Sequence, residues 1–251
     1  MIPTLIINLA QSVSRKAYMD NLIKEYPNLS VTYVDAVYGK SLSQSQLDNC
    51  FDMELSYKRY GKKLNSGEIG CTLSHFKCYQ QLLSSPNNFT LILEDDITII
   101  RDISNLEWVI PLIDNDIPTV ILLSGDYWYY SKRTINNEYE IATVLDAVGT
   151  YSYFINKAAA KLITQKNPRP SNVADNWSLY KSQGVKIKAI YPYMIDANIS
   201  AFESNIKQEY FGECRKNMSL SMVIKALVLS FSKHLLNWRN HFVSKIREPL
   251  H

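Results

Sequence analysis

Short apolar runs alternate along this chain with longer stretches whose apolar residues recur every three or four positions. The runs are Thr4–Asn8, Val31–Val34, Phe89–Leu93, Val120–Leu123, Tyr151–Ile155 and Val185–Ile190; bounded by polar residues, they predict buried strands. Helical spacing links Tyr18, Leu22, Ile23 and Tyr26, and again Ile69, Leu73, Phe76 and Leu83. Ahead of the second stripe stand Asn65 and, three residues on, Glu68, the spacing of a reciprocal helix cap. A polar, basic loop is expected at Lys58–Lys63, and an aromatic, polar one from Tyr127 to Glu140. Strands alternating with helices imply an α/β fold with a mostly parallel central sheet covered on both faces. In such sheets ligands bind beyond the carboxyl ends of the strands.

At that end of the clearest strand the sequence reads Leu93-Glu94-Asp95-Asp96. Alternation along an extended backbone sends Glu94 and Asp96 to one side and Asp95 to the other. Two carboxylates on one face suit a hard divalent cation that keeps waters and binds ligand phosphates. Without a cation, such crowding calls for a protonated member. The alternative is a solvated acidic turn, and the apolar TLIL run just before it weighs against that.

Composition narrows the picture. With 251 residues, 46% hydrophobic and 20% charged, the chain suits one large α/β domain, alone or with an appendage, rather than disorder. The net charge of +3 is uneven. From Arg215 onward there are Lys or Arg at 215, 216, 225, 233, 239, 245 and 247, against Glu248 alone. That imbalance suits an anionic surface rather than nucleic acid. Four cysteines (Cys50, Cys71, Cys78, Cys214) lack metal-type pairing, and reduced thiols in a cytosolic protein are expected. The opening MIPTLIINLA resembles a first core strand rather than a secretory leader.

Several segments in order resemble glycosyltransferase family 25, the lipooligosaccharide-biosynthesis galactosyltransferases with collagen-modifying relatives. They are IINLAQSVSR at Ile6–Arg15, VDAV at Val34–Val37, GEIGCTLSH at Gly67–His75, LEDD at Leu93–Asp96, GTYSYFINKAAAKLI at Gly149–Ile163 and PSNVADNW at Pro170–Trp177. The resemblance implies a GT-A type, Rossmann-like nucleotide-sugar domain over residues 1–214, a UDP-sugar donor and inversion at the anomeric carbon. It places Asn8 and Arg15 near the donor nucleotide and Asp35 and Ala36 near its base. Glu94 and Asp96 take the DxD-like metal role, for Mn²⁺ or Mg²⁺, with Asp95 among the donor-contacting residues. Glu68 and His75, seven apart on one helix, then face the donor sugar or diphosphate. For Glu68 the competing reading is the cap alone; for His75 it is a hydrogen-bonded core histidine.

An inverting displacement needs a base for the acceptor hydroxyl. Asp175 is the first candidate, with a helix cap before Trp177 as its competing reading, and Asp126 is the reserve. The run NVADNW departs from the simpler P-x-D of many relatives, which loosens that assignment. Aromatic Tyr127–Tyr130 with Lys132 and Arg133 is a candidate acceptor surface, or else a loop packed on the core. Residues 215–251 form a second expected unit. A stripe through Leu220, Ile224, Leu227, Phe231, Leu235, Trp238, Phe242 and Ile246, interspersed with Lys and Arg, predicts an amphipathic helix on an anionic membrane surface or packed on the catalytic domain. The combined expectation is a UDP-hexosyltransferase, galactose favoured, acting on a lipid-linked oligosaccharide at the cytoplasmic face of a bacterial inner membrane. A non-catalytic nucleotide-sugar-binding homologue and a metal-dependent nucleotidyltransferase or phosphohydrolase are the alternatives.

Overall fold

The first strand, β1 (Ile2–Asn8), is buried at every position but Pro3, as a strand covered on both faces must be. It belongs to a computed structural model that describes residues 1–113, 116–198, 227–228, 230–232, 234–235 and 242–243. After it come α1 (Val13–Ile23), β2 (Leu29–Asp35), α2 (Gln44–Cys50), α3 (Met53–Tyr60) and α4 (Ser66–Ser84). Then follow β3 (Phe89–Glu94), β4 (Ile97–Ile99), β5 (Thr119–Leu122), β6 (Tyr127–Thr134), β7 (Glu140–Ala147) and β8 (Ser152–Asn156). The remaining elements are α5 (Lys157–Lys166), α6 (Trp177–Ser182), β9 (Lys186–Tyr191), β10 (Ile195–Ala197) and β11 (Phe242–Val243).

Among the described residues nine strands form one sheet in the order β11-β6-β7-β9-β5-β8-β3-β1-β2. The α/β class holds, but the sheet is mixed rather than mostly parallel. β1 pairs in parallel with β2 and β3, and β5 with β9. Between these groups β8 runs antiparallel to both β3 and β5. Period-two alternation then splits the core. Leu5, Ile7, Ile92, Val120, Leu122, Tyr153 and Ile155 face one cluster with Tyr79, Ala159 and Trp177. Ile6, Leu91, Leu93, Ile121 and Phe154 face the other, with Met19 and Val109.

Three expectations need correction. Tyr127–Glu140 is a β-hairpin rather than a loop: Tyr127 and Tyr129 alternate into the core while Tyr130 is exposed. The cluster of polar residues hid that alternation. Lys58–Lys63 is helical as far as Tyr60, and α3 stops at Gly61, whose φ of 69° supplies the left-handed C-cap. The C-terminal stripe is not one helix, because Phe242–Val243 is a strand paired with Tyr127–Trp128. Most of that stripe, Cys214 and the expected boundary at 214/215 lie outside the described residues. No helix among the described residues is long and apolar enough to cross a membrane.

Candidate functional site

The carboxyl ends of β1, β2 and β3 open into a cleft of about 490 Å³. Its wall includes Ala36–Lys40 after β2, the first turn of α4, the Glu94–Asp96 corner, Val148–Tyr151 before β8, and Val173–Asp175 before α6. α4 starts there because the capping box is made: Asn65 Oδ1 accepts from Glu68 N–H at 2.9 Å, and Glu68 Oε2 from Asn65 N–H at 2.7 Å. Two glycines bring the β2 loop onto this helix. A Cβ on Gly70 would lie 2.5 Å from the Val37 carbonyl oxygen, and one on Gly39 would lie 1.8 Å from that of Ser66. Ser74 Oγ completes the joint, accepting from Val37 N–H and donating to the Gly70 carbonyl.

The acidic triplet does not split between two sides. β3 ends at Glu94 and the chain turns, so Glu94, Asp95 and Asp96 all line the cleft. Arg15 clamps the corner, its Nη1 donating to Asp95 Oδ1 and Asp96 Oδ2 at 2.9 Å each. Asn8 stands behind the cleft wall and donates to Asp95 Oδ2 at 2.7 Å. Asp96 Oδ1 is buried with no hydrogen-bond partner. Burial, then the neighbouring Glu94, push the Asp96 carboxyl up to about 6. On Glu94 burial acts upward too, but the hydrogen bond and charge of His75, with Thr150, hold it below its ordinary value.

His75 is 1% exposed and sits between two partners. Its Nδ1 shares a 2.7 Å hydrogen bond with Tyr153 Oη, which contacts Tyr79 Oη in turn; its Nε2 faces Glu94 Oε1 at 3.4 Å. Thr150 Oγ1 donates to that same Glu94 oxygen. Cys71, one turn before His75, completes a group: its Sγ, a His75 nitrogen and a Glu94 oxygen lie within 4.8 Å of one another. Burial pushes the Cys71 thiol well above its ordinary value. Glu68 both caps α4 and lines the cleft, with Lys62 Nζ 3.6 Å from its other oxygen.

Asp175 also lines the cleft, its Oδ2 accepting from Gly149 N–H at 2.9 Å. It is not the cap of α6: Asn176 is, accepting from Leu179 N–H. Burial raises the Asp175 carboxyl, with the Gly149 bond opposing. The cleft thus collects Arg15, Ala36, Glu68, His75, Glu94, Asp95, Asp96 and Asp175. Asp35 stands at its edge, its carbonyl accepting from Lys77 Nζ. Asp126 is outside it, between β5 and β6 at φ 68°, its carbonyl accepting from Val148 N–H. Sequence reasoning missed Cys71, Lys40, Thr150 and Tyr153. Cys71 and His75 stand four apart, the one spacing signal that was available.

A family model described as glycosyltransferase family 25 (LPS biosynthesis protein) matches residues 1–176. Procollagen galactosyltransferase 1-B of Xenopus laevis is 31% identical over 119 residues, 41% of this chain and 19% of its own. Procollagen galactosyltransferase 2 of Mus musculus is 29% identical over 154 residues, 50% and 24% of the two chains. A probable inactive glycosyltransferase 25 family member 3 of Rattus norvegicus is 30% identical over 140 residues, 55% and 24%. The match spans about a quarter or less of each of these relatives. A putative glucose-1-phosphate thymidylyltransferase of Bacillus anthracis overlays on 84% of this chain and 98% of its own, at a TM-score of 0.41 and 11% identity, too remote a likeness to carry an argument.

Proposed function

The chain belongs to glycosyltransferase family 25, and on that premise we propose that it transfers a hexose, galactose by preference, from a UDP-sugar to the oligosaccharide of a lipid-linked acceptor of the lipooligosaccharide type. One observation carries the reading. A single cleft holds a carboxylate corner needing more positive charge than Arg15 provides, together with a further buried carboxylate, Asp175, with a raised pKa. The first suits a nucleoside diphosphate leaving group and the second a base, and perturbed groups converging in one cleft favour chemistry.

Asp96 Oδ1, buried and unpartnered, and Glu94 beside it fit a hard divalent cation such as Mn²⁺ or Mg²⁺. Such an ion supplies charge to the departing diphosphate as a Lewis acid. The chain's own residues do the rest. Arg15 fixes Asp95 and Asp96 and keeps their charges from separating the corner. Thr150 and His75 fix the Glu94 carboxylate. Ala36–Lys40, seated on α4 through Gly39 and Gly70, offer a strip for the base and ribose. Asp175 takes the proton of the acceptor hydroxyl as its oxygen bonds to the anomeric carbon and the bond to UDP breaks, which inverts the centre. The basic residues after Arg215 bring the enzyme to an anionic membrane, the cytoplasmic face of a bacterial inner membrane, where such an acceptor resides.

The test is a donor screen with UDP-galactose, UDP-glucose and UDP-N-acetylhexosamines, in Mn²⁺ or EDTA, following UDP release. Metal-dependent release from one donor, abolished by Asp96→Asn, supports the reading and names the sugar. Relatives named inactive give a second reading its footing, a non-catalytic binder of the nucleotide sugar. Tight UDP-sugar binding with no release, even with truncated lipooligosaccharide present, selects it instead.

A further inference from the structure

We propose that Cys71, His75 and Glu94 form a binding site for a borderline-soft divalent cation, Zn²⁺ above all, which shares Glu94 with the Glu94–Asp96 pair and so opposes its use.

The three groups are the ligand types zinc takes: thiolate sulfur, imidazole nitrogen and carboxylate oxygen. Among the described residues they are the one set of three His, Cys, Asp or Glu whose ligand atoms gather this closely, all within 4.8 Å. Zinc bonds of about 2.0–2.3 Å place tetrahedral ligand atoms roughly 3.3–3.7 Å apart. His75 Nε2 and Glu94 Oε1, at 3.4 Å, already meet that separation. The sulfur, within 4.8 Å of both, has to close by about 1 Å.

The frame is rigid. Cys71 and His75 sit four apart on α4 and share a face. Tyr153 Oη engages His75 Nδ1, so Nε2 is the nitrogen left for a metal, and that outer hydrogen bond is what metal-bound imidazoles characteristically have. Cys71, His75 and Glu94 all line the cleft, so a fourth position is open to water or to a ligand. The chemistry separates this set from its neighbour. Glu94 with Asp96 offers oxygen alone and favours Mn²⁺ or Mg²⁺, whereas sulfur and nitrogen favour Zn²⁺. A metal on Cys71 must displace the thiol proton, which Zn²⁺ does and Mg²⁺ does not. Both sets need the same carboxylate, Glu94, so zinc draws it away from the pair.

The experiment uses the full chain, metal-free and reduced, titrated with Co²⁺ as a spectroscopic stand-in for zinc. Expected are the visible bands of tetrahedral cobalt and a near-ultraviolet thiolate-to-cobalt band, both erased by an equivalent of Zn²⁺. Cys71→Ser removes the thiolate band, Cys50→Ser keeps it, and Tyr153→Phe weakens binding about tenfold. Wild-type protein without a thiolate band, or a band that survives Cys71→Ser, overturns the proposal, and the wild-type reading needs no variant to fold. In the UDP-release assay Zn²⁺ should inhibit the Mn²⁺-supported reaction, with Cys71→Ser relieving that inhibition at least tenfold. Cobalt spectra report on the site whether or not any donor is turned over, so the two readings fail separately.

Discussion

Asp175 combines three properties that rarely meet in one carboxylate: burial, a place on the cleft wall, and release from capping duty by Asn176. Burial raises its pKa above the ordinary 3.8, so the native chain holds that proton more tightly than the unfolded one. Its contribution to stability is complete below 3.8 and is lost as pH rises through the raised native value. At neutral pH the ionised group therefore costs stability. Asp175→Asn should lower kcat by about 10²–10⁴ while its denaturant midpoint at pH 7 stays level or rises. The acid limb of kcat/KM should lose the step that belongs to Asp175 and keep the one that belongs to Asp96, at about 6; a variant that loses activity only by unfolding would leave both steps in place. Arg15 is the opposite case. Its removal leaves Asp95 and Asp96 with the cleft's main counter-charge gone, so Arg15→Met should cost about 3 kcal/mol in urea unfolding at pH 8. Added Mn²⁺ should shrink that deficit, which a purely steric role for Arg15 would not allow.

Among the elements, α4 was the most legible in sequence, since Asn65 and Glu68 announce its start and both halves of the capping box are made. Asn65→Ala should cost about 1 kcal/mol of stability. Strands β1, β3, β5 and β8 were legible because each is a nearly continuous apolar run, buried on both faces. The hairpin of β6 and β7 was not, since β6 exposes Tyr130, Ser131, Arg133 and Thr134, and a strand half in solvent loses the continuous signal. Direction was also hidden: nothing in Tyr151–Ile155 says that it enters the sheet reversed. Carboxylates beside a strand end announced the site, whereas Thr150 and Tyr153 act through partners more than 50 residues away, a distance no local pattern encodes. Gly70 stands within the GEIGCTLSH segment for a reason no local pattern carries, the close approach of the Val37 carbonyl. Gly70→Ala should destabilise by about 1–3 kcal/mol. It should also raise the donor KM more than it lowers kcat, because in the proposed reaction the displaced strip Val37–Lys40 receives the donor's base and ribose rather than the acceptor hydroxyl.

For the molecule as a whole, the basic residues cluster after Arg215, far along the chain from most of the cleft residues. Cosedimentation with phosphatidylglycerol vesicles, but not with phosphatidylcholine ones, is expected. Reversing Lys225, Lys233, Arg239, Lys245 and Arg247 to Glu should abolish it, at roughly 1 kcal/mol per charge, and leave donor cleavage in solution intact. Charge reversal is a cleaner test than truncation, because β11 lies in the same stretch and its loss would bare the edge of β6. Persistent vesicle binding by the reversed chain would sink the electrostatic account.

The reversed strand β8 also sets a timetable for synthesis. A ribosome delivers β1, β2, α4 and β3 early, yet Tyr153 for His75, Thr150 for Glu94 and the wall at Val173–Asp175 arrive only as residues 150–175 emerge. Until then one flank of β3 is an open edge beside a half-walled acidic groove. A nascent chain halted near residue 140 should therefore bind trigger-type chaperones and no UDP-sugar. One halted so that β9, which closes the edges of β5 and β7, has also cleared the tunnel should lose the chaperone and gain the nucleotide.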